Sequence, residues 1–261
     1  MTKVIAVHSF KGGTGKTTLT ANLAATLAQH SKVGVMDLDL SGPGLHVLFG
    51  LRKGEIKSTL TDIFLGDASP EDVVIDLTQR FGFSKGGLYF CPASNKVEDM
   101  LRLLKAGLEV TLFQDTLQKV GEQYKLDYII VDTHPGVEND TVLAMGCCDA
   151  MVLVSRVDQQ DLFGTAVMVL LAETFEKPTF LTLNMVPPGV RIKDAMKVGK
   201  ELAQLFKSRF LQAFEFQMDV INNLSRSVFV MDNPNSSFAH KVSEAAETLT
   251  RGLGEVAKVA N

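Results

Sequence analysis

Residues 10–18 read FKGGTGKTT and combine three kinds of residue that can bind phosphate together. The glycines let the backbone turn tightly and aim several N–H groups at one point, where an anion can sit. The ammonium of Lys16 can reach the β- and γ-phosphates of a nucleotide, and the hydroxyl of Thr17 can ligate Mg²⁺. Thr18 can donate to an α-phosphate oxygen. We therefore predict a nucleotide-binding loop made of Gly12, Gly13, Thr14, Gly15, Lys16, Thr17 and Thr18.

Carboxylates follow two other apolar runs of the sequence. Asp37 and Asp39 alternate with Met36 and Leu38, so the two acids share one face of an extended chain. Asp132 ends the apolar part of LDYIIVDTHPG, residues 126–136. Acids beside a bound phosphate would repel it unless a divalent cation or an attacking water lies between them. The pattern therefore indicates Mg²⁺ and water chemistry, with turn-forming aspartates at strand ends as the alternative.

The elements that must position these residues can be predicted from short apolar runs. Runs rich in Val, Ile and Leu without polar alternation are typical of parallel strands buried on both faces. They occupy residues 4–7, 33–36, 128–131, 151–154 and 180–183. Helical patterns cover residues 17–30, 108–124, 137–147, 162–175 and 192–210. This order predicts an α/β fold, a doubly wound, mostly parallel sheet with helices on both faces and ligands at the carboxyl ends of its strands.

Composition narrows the class of protein. The net charge is −4, so any site for nucleic acid must be a local patch. Three cysteines without repeated spacing argue against a disulfide framework and suit a reducing compartment. The first apolar run leads straight into the glycine loop, unlike a signal peptide, and no run reaches the roughly 20 residues of a membrane span. We expect a cytoplasmic protein whose residues 1–261 form one domain, with short helices and a loop over residues 51–85.

The phosphate loop departs from the general pattern at one place. That pattern has a glycine six residues before Lys16, but here Phe10 stands there and Lys11 follows. The form x-K-G-G-x-G-K-T-T resembles the deviant Walker A motif of the ParA/MinD superfamily, which also includes nitrogenase iron protein, Mrp-type carriers and anion-pump ATPases. The resemblance implies a P-loop ATPase that forms an ATP-dependent homodimer, in which Lys11 reaches the nucleotide of the partner. The alternative is that Lys11 is a solvated loop cation.

The resemblance continues along the chain in the order of the family's motifs. It implies that Asp39 positions the hydrolytic water and that Asp37 supports the Mg²⁺ shell. The form hhhh-D-x-x-P-G resembles the Walker B and switch II segment, so Asp132 would hold a water of the Mg²⁺ shell and the Gly136 N–H would approach the γ-phosphate. An asparagine at the place of Asn184 hydrogen-bonds the purine edge in the family. Residues 214–249 resemble its last strand and terminal helices.

Some residues of these segments are given no catalytic role. His134 could be a general base, but no partner for it is evident, so we predict a packing or surface residue. The sequence SGPG replaces the Pro-Gln that follows the acids in plasmid ParA proteins, and Met185 replaces a usual basic residue. These departures weaken the assignment to the plasmid subgroup.

A basic segment raises the question of a DNA partner. Lys193, Lys197, Lys200 and Lys207 fall on one stripe of the helix predicted over residues 192–210. Such a stripe is usually a solvated face, and it can also be the footprint of non-specific DNA binding, which ParA-type ATPases show in their C-terminal half. MinD-type relatives end instead in an amphipathic membrane helix. The tail here, RGLGEVAKVAN, lacks aromatic residues, so membrane binding is not expected.

Three functions follow from these observations. The leading one is an Mg²⁺-ATP-dependent dimerising ATPase that positions or partitions a cargo, DNA or a protein assembly, together with an unidentified stimulating or cargo protein. The second is a metallocentre-assembly or anion-transport ATPase, whose only support is the pair Cys147-Cys148, and adjacent cysteines lack metal-binding C-x-x-C spacing. The third is a nucleotide-gated binding module with negligible turnover, against which the intact Lys16, Asp39 and Asp132 argue.

Overall fold

Eight strands form one sheet in the computed structural model, which describes residues 1–259. Their order across the sheet is β3-β4-β2-β5-β1-β6-β7-β8, and every neighbouring pair is parallel except the short antiparallel pair of β3 with β4. The predicted doubly wound, mostly parallel sheet is confirmed. The strands are β1 Lys3–His8, β2 Lys32–Leu38, β3 Ile75–Asp76, β4 Gly87–Cys91, β5 Tyr128–Thr133, β6 Ala150–Ser155, β7 Thr179–Val186 and β8 Arg209–Glu215.

Helices cover both faces of the sheet. In the described part of the chain they are α1 Lys16–Leu27, α2 Leu45–Leu48, α3 Leu60–Phe64, α4 Pro70–Val73, α5 Val97–Ala106, α6 Val110–Tyr124, α7 Asn139–Cys147, α8 Gln159–Thr174, α9 Ile192–Leu205, α10 Met218–Asn222, α11 Phe229–Asp232 and α12 Ser237–Val259. One apolar core joins α1 and α12 to the sheet, and a second joins α6, α7 and α8 to the opposite face.

The strands contribute to both cores because their two faces are equally apolar. In β5, Ile130 packs in the core of α1 and α12, whereas Ile129 and Val131 pack in the opposite one. A strand covered on both sides has no solvent face, so its sequence shows no polar alternation. All five predicted strands are confirmed for this reason.

The strand order reverses at the centre of the sheet. From β1 the chain crosses to β2 and β4 on one side, returns to β5, and then passes over β1 to β6, β7 and β8. The carboxyl end of β1 is therefore the topological switch point, where ligands of doubly wound sheets bind. The phosphate loop follows β1 at this point.

The helix predicted over residues 192–210 is wrong at its C-terminal end. Helix α9 ends at Leu205, and Lys207 adopts a left-handed backbone with φ of 50°. The Lys207 N–H donates to Gln204 O and the Ser208 N–H to Ala203 O, which is the pattern of a Schellman C-terminal cap. The last strand therefore starts at Arg209, earlier than the predicted segment 214–249, which contains α10, α11 and the first part of α12.

The segment 51–85 contains the expected short helices. A 3₁₀ turn covers Lys53–Glu55, and α3 and α4 follow it. Capping residues begin both helices, since Thr59 accepts from the Asp62 N–H and Pro70 occupies the first turn of α4. The strands β3 and β4, which form the edge of the sheet, were not predicted.

Candidate active site

The phosphate loop connects β1 to α1, so that α1 begins beside the topological switch point at the carboxyl end of β1. Gly15, which precedes the first residue of α1, has a φ of 81°. A Cβ at this position would lie 2.5 Å from Asn184 Nδ2, so both the conformation and the space require glycine. The free N–H groups at the start of α1 face the loop and can bind an anion.

Lys16 and Thr17 meet the carboxylate at the end of β5. Lys16 Nζ donates to Asp132 Oδ1 over 2.9 Å, and Thr17 Oγ1 donates to Asp132 Oδ2 over 2.7 Å. Thr20, one turn further along α1, donates its hydroxyl to Asp132 Oδ1 over 2.9 Å. Lys16 is 6% exposed and Asp132 is 0% exposed, so this is a buried charge pair with its hydrogen bonds satisfied. The contact between Thr20 and Asp132 was not predicted from the sequence.

A second buried acid lies beside the first. Asp37 on β2 is the register partner of Asp132 on β5. Burial, and then the neighbouring Asp132, raise the pKa of Asp37 to about 8, although the Leu45 N–H donates to its carboxylate and opposes the shift. Two acids that repel each other in a buried place favour a cation between or beside them.

The predicted Mg²⁺ residues Thr17, Asp37 and Asp132 fit that ion. All three present hard oxygen donors, and Thr17 Oγ1 already contacts Asp132. Residues 1–259 contain no cluster of three or more His, Cys, Asp or Glu side chains that could hold a metal by themselves. Mg²⁺ is usually held by one or two carboxylates together with substrate phosphates, so a small donor set of this kind suits it.

Asp39 lies at the edge of the phosphate loop and is 9% exposed. Its Oδ2 atom lies 4.0 Å from Lys16 Nζ, whereas its Oδ1 accepts from the Gly42 N–H over 3.1 Å. The same Oδ1 lies 2.8 Å from Nδ1 of His134. The prediction that His134 has no partner is therefore wrong. One sequence carries no signal for this contact, which arises because β2 and β5 are paired and both loops leave the same end of the sheet.

The loop after β5 is tied to the end of β1. Gly136 has a φ of 92°, and its N–H donates to Ser9 O over 3.1 Å. Thr141 Oγ1, on α7, lies 3.2 Å from both Gly136 O and His134 O. The Gly136 N–H that was predicted to approach the γ-phosphate is thus occupied within the chain, and the loop must move to release it.

Lys11 does not point into its own phosphate loop. Its ammonium donates to Gln160 Oε1 and lies 4.0 Å from Asp161 Oδ1, both at the start of α8. Phe10, which replaces the usual glycine, packs directly on Gly164 of the same helix. The sequence predicted neither contact, because α8 is far from the loop along the chain.

Asn184 lies at the end of β7, where it was predicted, and contacts the phosphate loop. Its Nδ2 donates to Thr14 O over 2.7 Å, so one of its amide hydrogens supports the loop. Next to it is a cavity of about 140 Å³, whose lining includes the polar Thr18 and Asn184 and the apolar Phe216 and Leu224. A planar base with a polar edge suits such a mixed lining. The apolar lining residues were not predicted from the sequence.

The proposed DNA stripe is shorter than predicted. Lys193, Lys197 and Lys200 are exposed on α9 and line one shallow surface depression. Lys207 lies beyond the helix, and its ammonium donates to Glu173 of α8 over 3.4 Å. The inclusion of Lys207 in the stripe was wrong, because the Schellman cap ends the helix before it.

The two adjacent cysteines lie where α7 meets β6. Burial raises the pKa of Cys147 to about 11 and that of Cys148 to about 12. Thiols that stay protonated at neutral pH are poor metal ligands, since the thiolate is the form that binds. This environment agrees with a packing role.

The expectation that the protein does not bind a membrane was based on the C-terminal tail. No helix within residues 1–259 is long and apolar enough to cross a bilayer. Residues 260 and 261 of the tail, and the side chains of 256–259, lie outside the described residues.

Comparisons with known proteins match most of the chain. The AAA domain family matches residues 2–184, a range that includes the phosphate loop, all three acids and Asn184. The flagellum site-determining protein YlxH of Helicobacter pylori is 25% identical over 97% of this chain and 83% of its own length. The cytosolic Fe-S cluster assembly factor Nubp2 homolog of Drosophila ananassae is 30% identical over 58% of this chain and 56% of its own length.

A solved structure shares the fold over almost the whole chain. The septum site-determining protein MinD of Pyrococcus horikoshii, complexed with Mg-ADP, superposes with a TM-score of 0.78 at 22% identity. The superposition covers 98% of this chain and 99% of the other.

Proposed function

Because the chain belongs to the AAA domain family and is a P-loop ATPase of the ParA/MinD superfamily, we propose that Mg²⁺-ATP closes a homodimer of it and that hydrolysis reopens the dimer. Such a switch positions a cargo in the cytoplasm, either DNA or a protein assembly, with a stimulating partner that is still unidentified. The name of the YlxH relative, which determines a flagellum site, supports a positioning role.

The observation that carries this proposal is the convergence of charge at the phosphate loop. Lys16 Nζ lies 2.9 Å from Asp132 and 4.0 Å from Asp39, and all three groups are buried. In this state the Asp132 carboxylate holds the ammonium that would bind phosphate. Nucleotide phosphates can replace that carboxylate as the partner of Lys16.

Each residue then has one task in hydrolysis. Lys16 turns to the β- and γ-phosphates, while Thr17, Asp37 and Asp132 are the residues that would hold Mg²⁺. The bound ion would neutralise charge on the phosphate oxygens. Asp39 orients a water on the γ-phosphate through Oδ2, the oxygen that faces Lys16. Asn184 and the adjoining cavity hold the base.

Asp39→Ala is expected to bind ATP as tightly as the wild type but to hydrolyse it about 10²- to 10⁴-fold more slowly. Its carboxylate acts on the water in the chemical step, whereas the phosphates are held by Lys16 and the loop. Phosphate release under saturating ATP measures the rate, and titration with a fluorescent ATP analogue measures the affinity. Wild-type turnover by this variant would remove Asp39 from the mechanism.

DNA binding is the second part of the proposal, and it rests on three exposed lysines of α9. A dimer would bring two copies of Lys193, Lys197 and Lys200 to one DNA duplex, so the number of contacts with DNA phosphates would double. The attraction to DNA would come from this local cluster of lysines alone, because the whole chain carries a net charge of −4.

We expect the dimer to bind duplex DNA without sequence preference when a slowly hydrolysed ATP analogue and Mg²⁺ are present. Binding should weaken steeply between about 50 and 200 mM salt, and Lys197→Glu with Lys200→Glu should abolish it while ATP hydrolysis continues. A gel shift at low salt checks this, with Lys207→Glu as the matched control because Lys207 lies off the helix and contacts Glu173. If micromolar dimer shifts no DNA, the cargo is a protein assembly.

Metallocentre assembly is the alternative, and the similarity to the Nubp2 homolog is the observation that favours it. Cys147 and Cys148 would have to lose their protons to bind a metal, which their burial opposes. Titration of the protein with Zn²⁺ or Fe²⁺ distinguishes the two functions. Stoichiometric binding that is lost in a Cys147→Ser, Cys148→Ser variant would favour the alternative.

A further inference from the structure

We propose that His134 is a positioning residue for ATP hydrolysis, which acts by holding Asp39 in the orientation that directs a water at the γ-phosphate. The inference rests on the role proposed for Asp39. It goes beyond that role by adding a side chain that belongs to neither the phosphate loop nor the predicted Mg²⁺ residues.

The two oxygens of Asp39 have different environments. Oδ1 accepts from the Gly42 N–H over 3.1 Å and lies 2.8 Å from Nδ1 of His134. A carboxylate oxygen accepts about two hydrogen bonds, so Oδ1 is saturated when Nδ1 donates to it. Oδ2 lies on the side of Lys16, 4.0 Å from its ammonium. The two donors on Oδ1 therefore decide which oxygen remains to accept a proton from water.

The His134 ring can act as a fixed donor because its backbone is anchored. Thr133 Oγ1 donates to Val7 O over 3.1 Å, which ties the preceding residue to β1. On the other side, Thr141 Oγ1 lies 3.2 Å from His134 O. His8, which is fully buried, places Nδ1 2.7 Å from Thr133 Oγ1 and supports the same segment.

The exposure of the ring argues against a packing role. The side chain of His134 is 30% exposed, and its ring hydrogen bond is to Asp39. Truncation of a partly exposed ring leaves little cavity, so the cost in folding stability should be small. A loss of activity would then come from the hydrogen bond to Asp39.

His134 also connects two loops that must respond to the same phosphate. It lies two residues before Gly136, whose N–H donates to Ser9 O in this state. When Gly136 leaves Ser9 for the γ-phosphate, the loop that carries His134 moves with it. Because His134 is already hydrogen-bonded to Asp39 in this state, the orientation of Asp39 would follow that movement.

The test compares His134→Ala with His134→Asn and with Asp39→Ala. His134→Ala is expected to lower kcat by about 10- to 100-fold, the usual effect of losing a group that orients a catalytic ligand or side chain, with KM and ATP affinity unchanged. The amide of Asn can donate from nearly the place of Nδ1, so His134→Asn should recover most of the rate. The exposed His240 on α12 is the matched control, and His240→Ala should keep the wild-type rate.

The double variant tests whether His134 acts through Asp39. Once Asp39 is alanine, His134→Ala should slow hydrolysis no further, because the group that it orients is gone. Thermal unfolding and ATP affinity show whether each variant is folded.

The outcomes separate this inference from the proposed function. Wild-type turnover by Asp39→Ala would overturn the role of Asp39 and this inference with it. A slow Asp39→Ala together with a wild-type rate for His134→Ala would overturn this inference alone. The same holds if His134→Asn is as slow as His134→Ala, or if the rate losses of the double variant multiply.

Discussion

Replacing Lys16 by alanine is expected to weaken Mg²⁺-ATP binding by about 10- to 150-fold. A hydrogen bond from an ammonium to a charged acceptor contributes about 1.5–3 kcal/mol, and each 1.4 kcal/mol is about a tenfold change in affinity. The loop glycines and the start of α1 remain, so some affinity for phosphate should persist. Isothermal titration with Mg²⁺ and ATP measures the change.

The same substitution should lower the stability of the nucleotide-free protein. Lys16 is the cation 2.9 Å from the fully buried Asp132, and removing one partner of a buried pair costs about 3 kcal/mol or more. Thr17 and Thr20 still donate to Asp132, which limits the loss.

Two variants control this result. Lys16→Met keeps the length of the side chain without its charge and should bind ATP as weakly as Lys16→Ala. Lys193→Ala removes an exposed lysine of α9 and should change neither affinity nor stability. If Lys16→Ala binds Mg²⁺-ATP as tightly as the wild type, the nucleotide does not occupy this loop.

Lys11→Ala is expected to abolish ATP-induced dimerisation while each monomer still binds ATP. Lys16 already serves the phosphates of its own chain, and Lys11 turns away from them towards Gln160. Across a two-fold axis, each Lys11 could meet the nucleotide of the partner, which is a reciprocal contact. Two contacts of about 1.5–3 kcal/mol each would weaken the dimer by about 10²- to 10⁴-fold when removed.

The Lys11 experiment is best done in the Asp39→Ala background, which should prevent turnover. Light scattering over a range of protein concentrations gives the dimer dissociation constant with Mg²⁺-ATP. Gln160→Ala is the matched control, because it removes the contact of Lys11 within the chain and should leave the dimer intact. Lys11→Arg is not a safe control, since a planar guanidinium replaces a compact ammonium. Equal dimerisation with and without Lys11 would make it an ordinary loop cation.

The central strands could be predicted from the sequence because each of them is determined by its own residues. The runs that became β1, β2, β5, β6 and β7 are apolar on both faces, which only a covered parallel sheet accommodates. The positions of two acids along these strands follow from the same pattern, whereas the roles of the acids stay predictions. Asp37 lies near the end of β2 and Asp132 near the end of β5, and the sheet pairs these two strands side by side.

Where the prediction failed, the backbone rather than the residue type decided the structure. Helix α9 and the strand β8 are separated by the left-handed Lys207, and lysine gives no signal for that conformation. The hydrogen bond between Thr179 and Ser208 then holds the chain beside β7. Neither feature can be read from periodicity.

Contacts between segments that are distant along the chain also could not be predicted from the sequence. The pairing of His134 with Asp39 depends on the register of β2 with β5, and that of Lys11 with Gln160 depends on how α8 packs beside the loop. The roles of the site residues and the single-domain organisation stay predictions.

In the proposed switch, ATP, and not ADP, joins two chains. The most direct measurement is the molar mass of Asp39→Ala by light scattering after size-exclusion chromatography, with Mg²⁺-ATP and separately with Mg²⁺-ADP. We expect twice the 28.4 kDa of one chain with ATP and the mass of one chain with ADP. A mass of one chain with both nucleotides, at ATP concentrations that saturate binding, would contradict the dimer switch.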